Sequence, residues 1–161
     1  MGQNSRMSSL AIRPLGSADE PRWRELWAGY LEFYETTLAP DVTDVQWRRL
    51  LDPVQDPHGL CAVDSRGEVL GFVHYQHQRT TWLIDDCIYL EDLYVDRKAR
   101  GSGAGRALIE AVYRVAADEN LDEVYWLTQD FNHTARKLYD AVALVTPFVK
   151  YKHVLSRTSD R

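Results

Sequence analysis

The sequence predicts an α/β domain whose sheet contains a parallel strand pair. Two observations carry that prediction. Apolar residues recur at helical spacing near the start of the chain and switch to strand-like spacing from about residue 60. Strand and helix patterns then alternate through the second half, which places a parallel crossover in the sheet. The order read along the chain is β, α, α, β, β, β, α, β, α, β.

Each element has its own local signal. Met1–Ser9 is polar and expected to fray. Leu10–Pro14 reads as a short first strand. Ser17, Asp19 and Glu20 supply helix-start chemistry with Pro21 in the first turn. Trp23, Leu26, Trp27, Tyr30, Leu31 and Tyr34 then follow at helical spacing, giving a helix over about 20–36. Leu38–Asp41 breaks it. Thr43–Leu51 reads as a second helix, ended by Asp52-Pro53. Leu60–Val63 and Val69–Tyr75 form a predicted hairpin around the turn Asp64–Gly67, and Asp85–Val95 is a long strand. A helix over about 103–118 carries Leu108, Ala111, Val112 and Val115 on one face. Val124–Leu127 reads as a buried strand. Asn132 starts a helix that turns Ala135, Leu138 and Tyr139 inward, and Phe148–Leu155 closes the chain as a strand. No repeat or linker interrupts the pattern, so residues 1–161 read as a single domain.

Composition narrows the function classes. Hydrophobic residues make up 45% and charged residues 27%, which excludes disorder over most of the length. No apolar run approaches the roughly 18 residues of a membrane span, and no signal-peptide pattern opens the chain, so the expectation is a cytoplasmic protein without membrane partners. Met1-Gly2 is followed by Arg6 where a myristoylation signal needs Ser or Thr. A net charge of −5, from 24 acidic and 19 basic residues, argues against a nucleic-acid partner and suits a cationic substrate. Two cysteines, Cys61 and Cys87, exclude a disulfide scaffold and a cysteine-rich zinc site. His74 and His77 have no carboxylate near them in sequence, and no metal is expected.

Arg100-Gly-Ser-Gly-Ala-Gly105 sits between a predicted strand and a predicted helix. Glycines there allow a close backbone approach, and the free N–H groups of a helix start suit a pyrophosphate. A phosphate loop of the Walker type fails because Arg106 and Ala107 follow Gly105. The dinucleotide fingerprint fails because position 106 is not glycine. The pattern Arg/Gln-x-x-Gly-x-Gly/Ala is met by Arg100, Gly103 and Gly105.

Tyr89-Leu-Glu-Asp-Leu-Tyr-Val95 followed by this turn resembles the coenzyme A motif of the GNAT N-acetyltransferases. Asn132-His-Thr-Ala-Arg-Lys-Leu-Tyr139 resembles the second motif of that family, Asn-x-x-Ala-x-x-Leu-Tyr. The resemblance covers about residues 60–140. Leu26–Tyr34 and His74–Trp82 look like the histone and polyamine acetyltransferase branch. The resemblance implies a mixed, mostly antiparallel sheet with a splayed parallel pair and helices on both faces. It implies acetyl-coenzyme A as co-substrate and a homodimer through the C-terminal strands. The chain departs from the family where Pro147-Phe148 replaces the usual Gly-Phe.

Roles follow by position in those motifs. The resemblance implies that the backbone of Leu93, Tyr94 and Val95 binds the acetyl carbonyl and the pantetheine arm. Gly101, Ser102, Gly103, Ala104 and Gly105, with Arg100 and Arg106, would hold the pyrophosphate. Asn132 and Ala135 would line the far side of the coenzyme arm. Tyr139 matches the general acid. The chemistry fits: amine attack on a thioester makes an oxyanion that backbone N–H groups stabilise. The departing thiolate, whose thiol titrates at roughly 8.5, can be protonated by a phenol of about 10. Glu91, in an otherwise apolar strand, is a candidate base for the arriving ammonium, with burial expected to strengthen it. Asp92, Tyr30 and Tyr34 are candidate substrate contacts; most of the aromatic face from Trp23 to Tyr34 is expected in the core. A covalent acetyl-cysteine at Cys61 or Cys87 has no local support.

The acceptor stays open at this point. A small primary amine, of polyamine or amino-acid type, is the first reading. Glu32, Glu35, Asp85 and Asp86 could receive a cationic amine, whereas an amino acid would need a cation such as Arg79 for its carboxylate. A protein lysine or N-terminus is the second reading, and a non-catalytic acyl-coenzyme A module the third.

Overall fold

The computed structural model describes residues 9–155. The predicted fraying of Met1–Ser9 therefore falls almost wholly outside the described residues. The elements are β1 (Ala11–Pro14), α1 (Glu20–Phe33), α2 (Pro40–Leu50), β2 (His58–Val63), β3 (Val69–Gln78), β4 (Cys87–Val95), α3 (Ala104–Asp118), β5 (Val124–Tyr125) and α4 (His133–Val142), with short 3-10 turns at Ser17–Asp19 and Arg97–Ala99. The chain packs as two compact units, one running to Leu127 and the other starting at Thr128.

The first unit holds a five-stranded sheet in the order β1-β2-β3-β4-β5. Its first three pairings are antiparallel and β4–β5 is parallel. The hairpin between β2 and β3 is shaped by Asp64, whose Oδ1 accepts from the N–H groups of Arg66 and Glu68 at 2.9 Å each. Gly67 supplies the left-handed φ of 85° that the turn requires.

Side chains alternate between two faces of the sheet. Cys61, Val63, Val69 and Phe72 join Trp23, Leu26, Trp27, Trp47 and Leu50 of α1 and α2 in one apolar cluster. The opposite face receives α3, which packs on β2, β3 and β4 through a stripe that includes Leu108, Ile109 and Val112, all fully buried. β4 carries an irregularity. Asp92 opposes His74 while Leu90 opposes Tyr75, so the register steps over Glu91 as an extra residue. Such a bulge re-aims the side chain it carries.

One ion pair locks the start of the chain onto α1. Arg13 donates to both oxygens of Asp19, at 2.7 and 2.9 Å, and the Gly16 N–H donates to the same carboxylate at 2.7 Å. The Arg13 hydrogen bonds hold Asp19 below the usual carboxylate range, against the opposing effect of burial. Replacing Asp19 with Asn should cost about 1–2 kcal/mol at neutral pH. A depressed carboxylate stabilises the fold above its unfolded pKa, roughly 3.9, and loses that contribution as pH falls through the lower folded value. Denaturant unfolding of the two proteins should therefore differ at neutral pH and converge in strong acid. An equal gap at both would contradict the ion-pair account.

Several sequence expectations are corrected. α2 begins at Pro40 rather than Thr43, because proline fits the first helical position and holds Ala39 extended before it. β5 stops at Tyr125 and its two residues are only half-buried, since it is an edge strand paired on one side. In the second unit, no residue of α4 is fully buried; Ala135, Leu138 and Tyr139 are half-buried. The closing strand expected at Phe148–Leu155 is not formed. Residues 143–155 have no regular secondary structure, and Leu144, Val145, Phe148, Val149, Tyr151, Val154 and Leu155 are all exposed.

Candidate active site

The parallel contact between β4 and β5 is short. Only Ile88 and Tyr89 of β4 have partners on β5, in Val124 and Tyr125. From Glu91 to Val95, β4 continues beside β3 with no β5 partner along its other edge. That is the splay the sequence resemblance implies. Along the edge away from β3, Leu93–Val95 have no strand partner among the described residues.

β4 runs from there into the glycine turn. Gly101 and Gly103 sit at φ 80° and 86°, in the left-handed region where a side chain is strained. A Cβ added to either would meet nothing within 4 Å, so backbone conformation rather than crowding calls for glycine, and the space above the turn is open. Gly103 is the N-cap residue of α3. Ser102 Oγ accepts from Ala104 N–H at 3.3 Å, and helical geometry leaves the N–H groups of Gly105 and Arg106 directed outward. Arg100 and Arg106 are exposed at this mouth, with Arg106 3.9 Å from Glu110. Ala104 is buried and anchors the helix start in the core. This cradle fits a pyrophosphate.

Behind β4 lies a chain of hydrogen bonds that sequence reading missed. The Trp23 indole N–H donates to His74 Nε2 at 3.0 Å. An indole can only donate, so Nε2 must accept and the ring proton sits on Nδ1. Nδ1 then donates to Asp92 Oδ2 at 2.9 Å, and the Tyr30 hydroxyl donates to Asp92 Oδ1 at 2.5 Å. Both Asp92 oxygens are engaged within the protein, and His74 is buried. Burial, followed by the Asp92 charge and its hydrogen bond, raises the Tyr30 hydroxyl far above an ordinary phenol. Tyr30 is thus held as a proton donor to Asp92. Tyr34 packs on Tyr30 with the rings tilted and their centroids 4.9 Å apart, and its hydroxyl is raised by burial and then by the same carboxylate.

Glu91, the bulge residue, is exposed, so the burial expected for it is absent. Gln76 Nε2 lies 3.4 Å from its Oε2. Beside the far end of β4, an open cleft of about 260 Å³ is lined by Arg22, Glu25, Glu32, Tyr94 and Asp96 among others. Arg22 fixes that rim by donating to Asp96 at 2.6 Å and to the Val69 carbonyl at 3.1 Å. Tyr94 packs on Gly29 of α1, where a Cβ would meet its hydroxyl at 2.5 Å. Arg79 is exposed and paired with Asp86 at 2.7 Å. Cys61 and Cys87 are free and buried, and burial pushes the Cys61 thiol up to about 11. In the second unit, Asn132 precedes α4, and its Nδ2 donates to Thr128 Oγ1 at 3.3 Å. Tyr139 lies two turns along the same helix.

Comparison with known proteins agrees with this architecture. Residues 21–143 match the Acetyltransferase (GNAT) family. The chain is 39% identical over 150 residues to the D-amino-acid N-acetyltransferase HPA3 of Saccharomyces cerevisiae, covering 92% of this chain and 91% of that protein. It is 33% identical over 93 residues to a thialysine N-epsilon-acetyltransferase of Bos taurus, covering 58% of this chain and 50% of that one. Among solved structures, AAC(6')-Iy, determined with a coenzyme A bisubstrate analogue, superposes with a TM-score of 0.78 at 20% identity over 92% of this chain and 100% of its own. A ribosomal-protein-alanine N-acetyltransferase from Brucella melitensis gives 0.76 at 22% identity over 91% of this chain and 100% of its own. With its splayed strand, its glycine turn and a family match that spans both motifs, the chain belongs to the GNAT family of N-acetyltransferases.

Proposed function

We propose that this enzyme transfers an acetyl group from acetyl-coenzyme A to the primary amine of a small molecule of amino-acid type. The observation that carries the reading is the identity of 39%, over nearly the whole of both chains, to a D-amino-acid N-acetyltransferase. The short β4–β5 pairing and the open glycine turn support the donor side. The amine nitrogen attacks the thioester carbonyl within a ternary complex. A C–N bond forms and the C–S bond breaks. Leu93–Val95 orient the acetyl carbonyl, and Gly101–Arg106 with Arg100 bind the pyrophosphate. Asn132 and Ala135 are assigned to the coenzyme arm. Tyr139 is assigned as the acid that protonates the departing thiolate. The buried thiols, with Cys61 pushed up to about 11, support direct attack over an acetyl-cysteine.

Glu91 is assigned as the base that takes a proton from the ammonium, directly or through water. Its exposure suits exchange of that proton with solvent. Asp92, Tyr30 and Tyr34 are assigned to the acceptor side, with Tyr30 held by Asp92 and Tyr34 packed on Tyr30. Glu91→Gln should lower kcat/KM about 10–100-fold below neutral pH, with the defect shrinking as rising pH deprotonates the amine in solution. A defect independent of pH would remove Glu91 from the proton path.

The assay that tests the function is thiol release from acetyl-coenzyme A against D- and L-amino acids, polyamines, aminoglycosides and a basic peptide. The highest kcat/KM is expected with an amino acid. Preference for the peptide would favour the protein-acceptor reading. Coenzyme binding without transfer to any amine would favour a non-catalytic module. A homodimer belongs to the same proposal, supported by the exposed apolar run from Leu144 to Leu155. Light scattering should give twice the chain mass, and a monomer at high concentration would end that part. The free cysteines are in keeping with a reducing, cytoplasmic setting.

A further inference from the structure

At the end of α3 remote from the glycine turn, four side chains converge that play no part in acetyl transfer. Asp56 lies in the loop before β2, His58 opens β2, His77 is near the end of β3, and Glu119 follows the last residue of α3. His58 is paired with Tyr75 across the β2–β3 ladder. The ladder begins at that pair, and the His77 backbone N–H holds the carboxylate of the preceding loop against the β3 end of it. Asp56 Oδ1 is 3.3 Å from His58 Nε2 and 3.1 Å from His77 Nδ1. The ligand atoms of all three lie within 4.8 Å of one another. We propose that Asp56, His58 and His77 form a binding site for a divalent transition-metal ion of the zinc class, with His77 oriented by Glu119.

Three features support this beyond proximity. A tetrahedral ion with bonds of about 2.0–2.1 Å needs ligand atoms about 3.3–3.4 Å apart, and both contacts to Asp56 are close to that edge. The second is the partner of His77: its Nε2 lies 2.6 Å from Glu119 Oε2. A carboxylate on one ring nitrogen aims the other at the metal, an arrangement usual for metal-binding histidine. The third is rigidity. The His77 backbone N–H donates to Asp56 Oδ1 at 3.0 Å, so the carboxylate is fixed before any ion arrives. Two imidazoles and a carboxylate suit zinc, cobalt or nickel rather than magnesium or calcium. The charges of Asp56 and Glu119 balance a divalent cation, and the half-buried side chains leave a path for it to enter.

An ion here would tie the α2–β2 loop, both strands of the hairpin and the C-terminus of α3 at one point. The site goes beyond the acetyltransferase reading and can be tested apart from it. Chelator-treated full-length protein should be titrated with Co²⁺ and followed by its visible absorption, with Zn²⁺ stoichiometry measured by equilibrium dialysis. One ion per chain is expected, with absorption of tetrahedral or five-coordinate Co²⁺ that Zn²⁺ displaces. Glu119→Gln should weaken binding about 10–100-fold, and His58→Ala and Asp56→Asn should each abolish saturable binding. Circular dichroism identifies any variant that fails to fold, and the milder Asp56→Asn then decides. No saturable uptake by the wild-type protein would overturn the proposal. So would uptake unchanged in both His58→Ala and Asp56→Asn, which would place the ion elsewhere.

Discussion

Tyr139→Phe is expected to lower kcat by about 10²–10⁴-fold while leaving coenzyme binding intact. The substitution removes one oxygen and keeps the ring, so the packing of α4 should survive it. What the variant would lose is the proton assigned above to the departing thiolate. Coenzyme affinity, read by calorimetry, should change little, because the Tyr139 hydroxyl is not among the groups assigned to coenzyme binding. Steady-state rates on the best amine would show the loss in kcat rather than in KM for the coenzyme. A further test uses a thioester whose thiol is more acidic. That leaving group needs less help, so the variant should recover part of its deficit. Wild-type turnover in Tyr139→Phe would remove this residue from the chemistry.

Trp23→Ala is expected to cost about 3–5 kcal/mol of stability, the usual range for an aromatic side chain removed from a core. Trp23 is fully buried, with Trp47 at 4.9 Å and Trp27 at 5.8 Å. Domains of this kind hold only about 5–15 kcal/mol in total, so the variant should unfold at far lower denaturant. Trp23→Phe separates packing from hydrogen bonding. It retains most of the ring and removes the N–H that His74 Nε2 accepts, leaving a buried acceptor at a cost of about 1–3 kcal/mol. Nitrogen NMR of His74 should show a single Nδ1–H tautomer in the wild-type protein and a mixture in Trp23→Phe. A Phe variant as stable as wild type, with the tautomer unchanged, would show that the indole does not set the imidazole.

Local patterns made much of the architecture legible. The helical spacing of Trp23, Leu26 and Trp27, the Asp64–Gly67 turn and the glycines before α3 each act within a few residues, where propensity and periodicity operate. The hydrogen-bonded chain behind β4 was not legible, because Trp23, His74, Asp92 and Tyr30 are brought together by sheet register and helix docking. His74 gave one signal: it stands two residues from Phe72 on an apolar strand face, where a buried histidine must find partners. The carboxylates around His77 were hidden for the same reason, since Asp56 and Glu119 are 21 and 42 residues away. Glu91 stands out in the sequence as a polar residue in an otherwise apolar strand. The strand pattern suggested burial, but the bulge turns that residue to solvent. Phe148–Leu155 has the composition of a strand, yet composition does not supply an edge to pair with.

The extra residue in β4 also acts as a phase switch. Asp92 and Tyr94 share the face of His74 and Phe72, toward α1. Leu90 and Ile88 are spaced from them by even steps, yet they oppose Tyr75 and His77 and lie on the α3 side, 2% and 0% exposed. One strand thus serves two layers with residues of the same parity. Position 91 is the residue the register steps over, so its removal would leave Asp92 opposite His74 and Leu90 opposite Tyr75. What such a deletion would remove is the local bend and the side chain it turns to solvent, while Cys87–Leu90 kept the faces they have now.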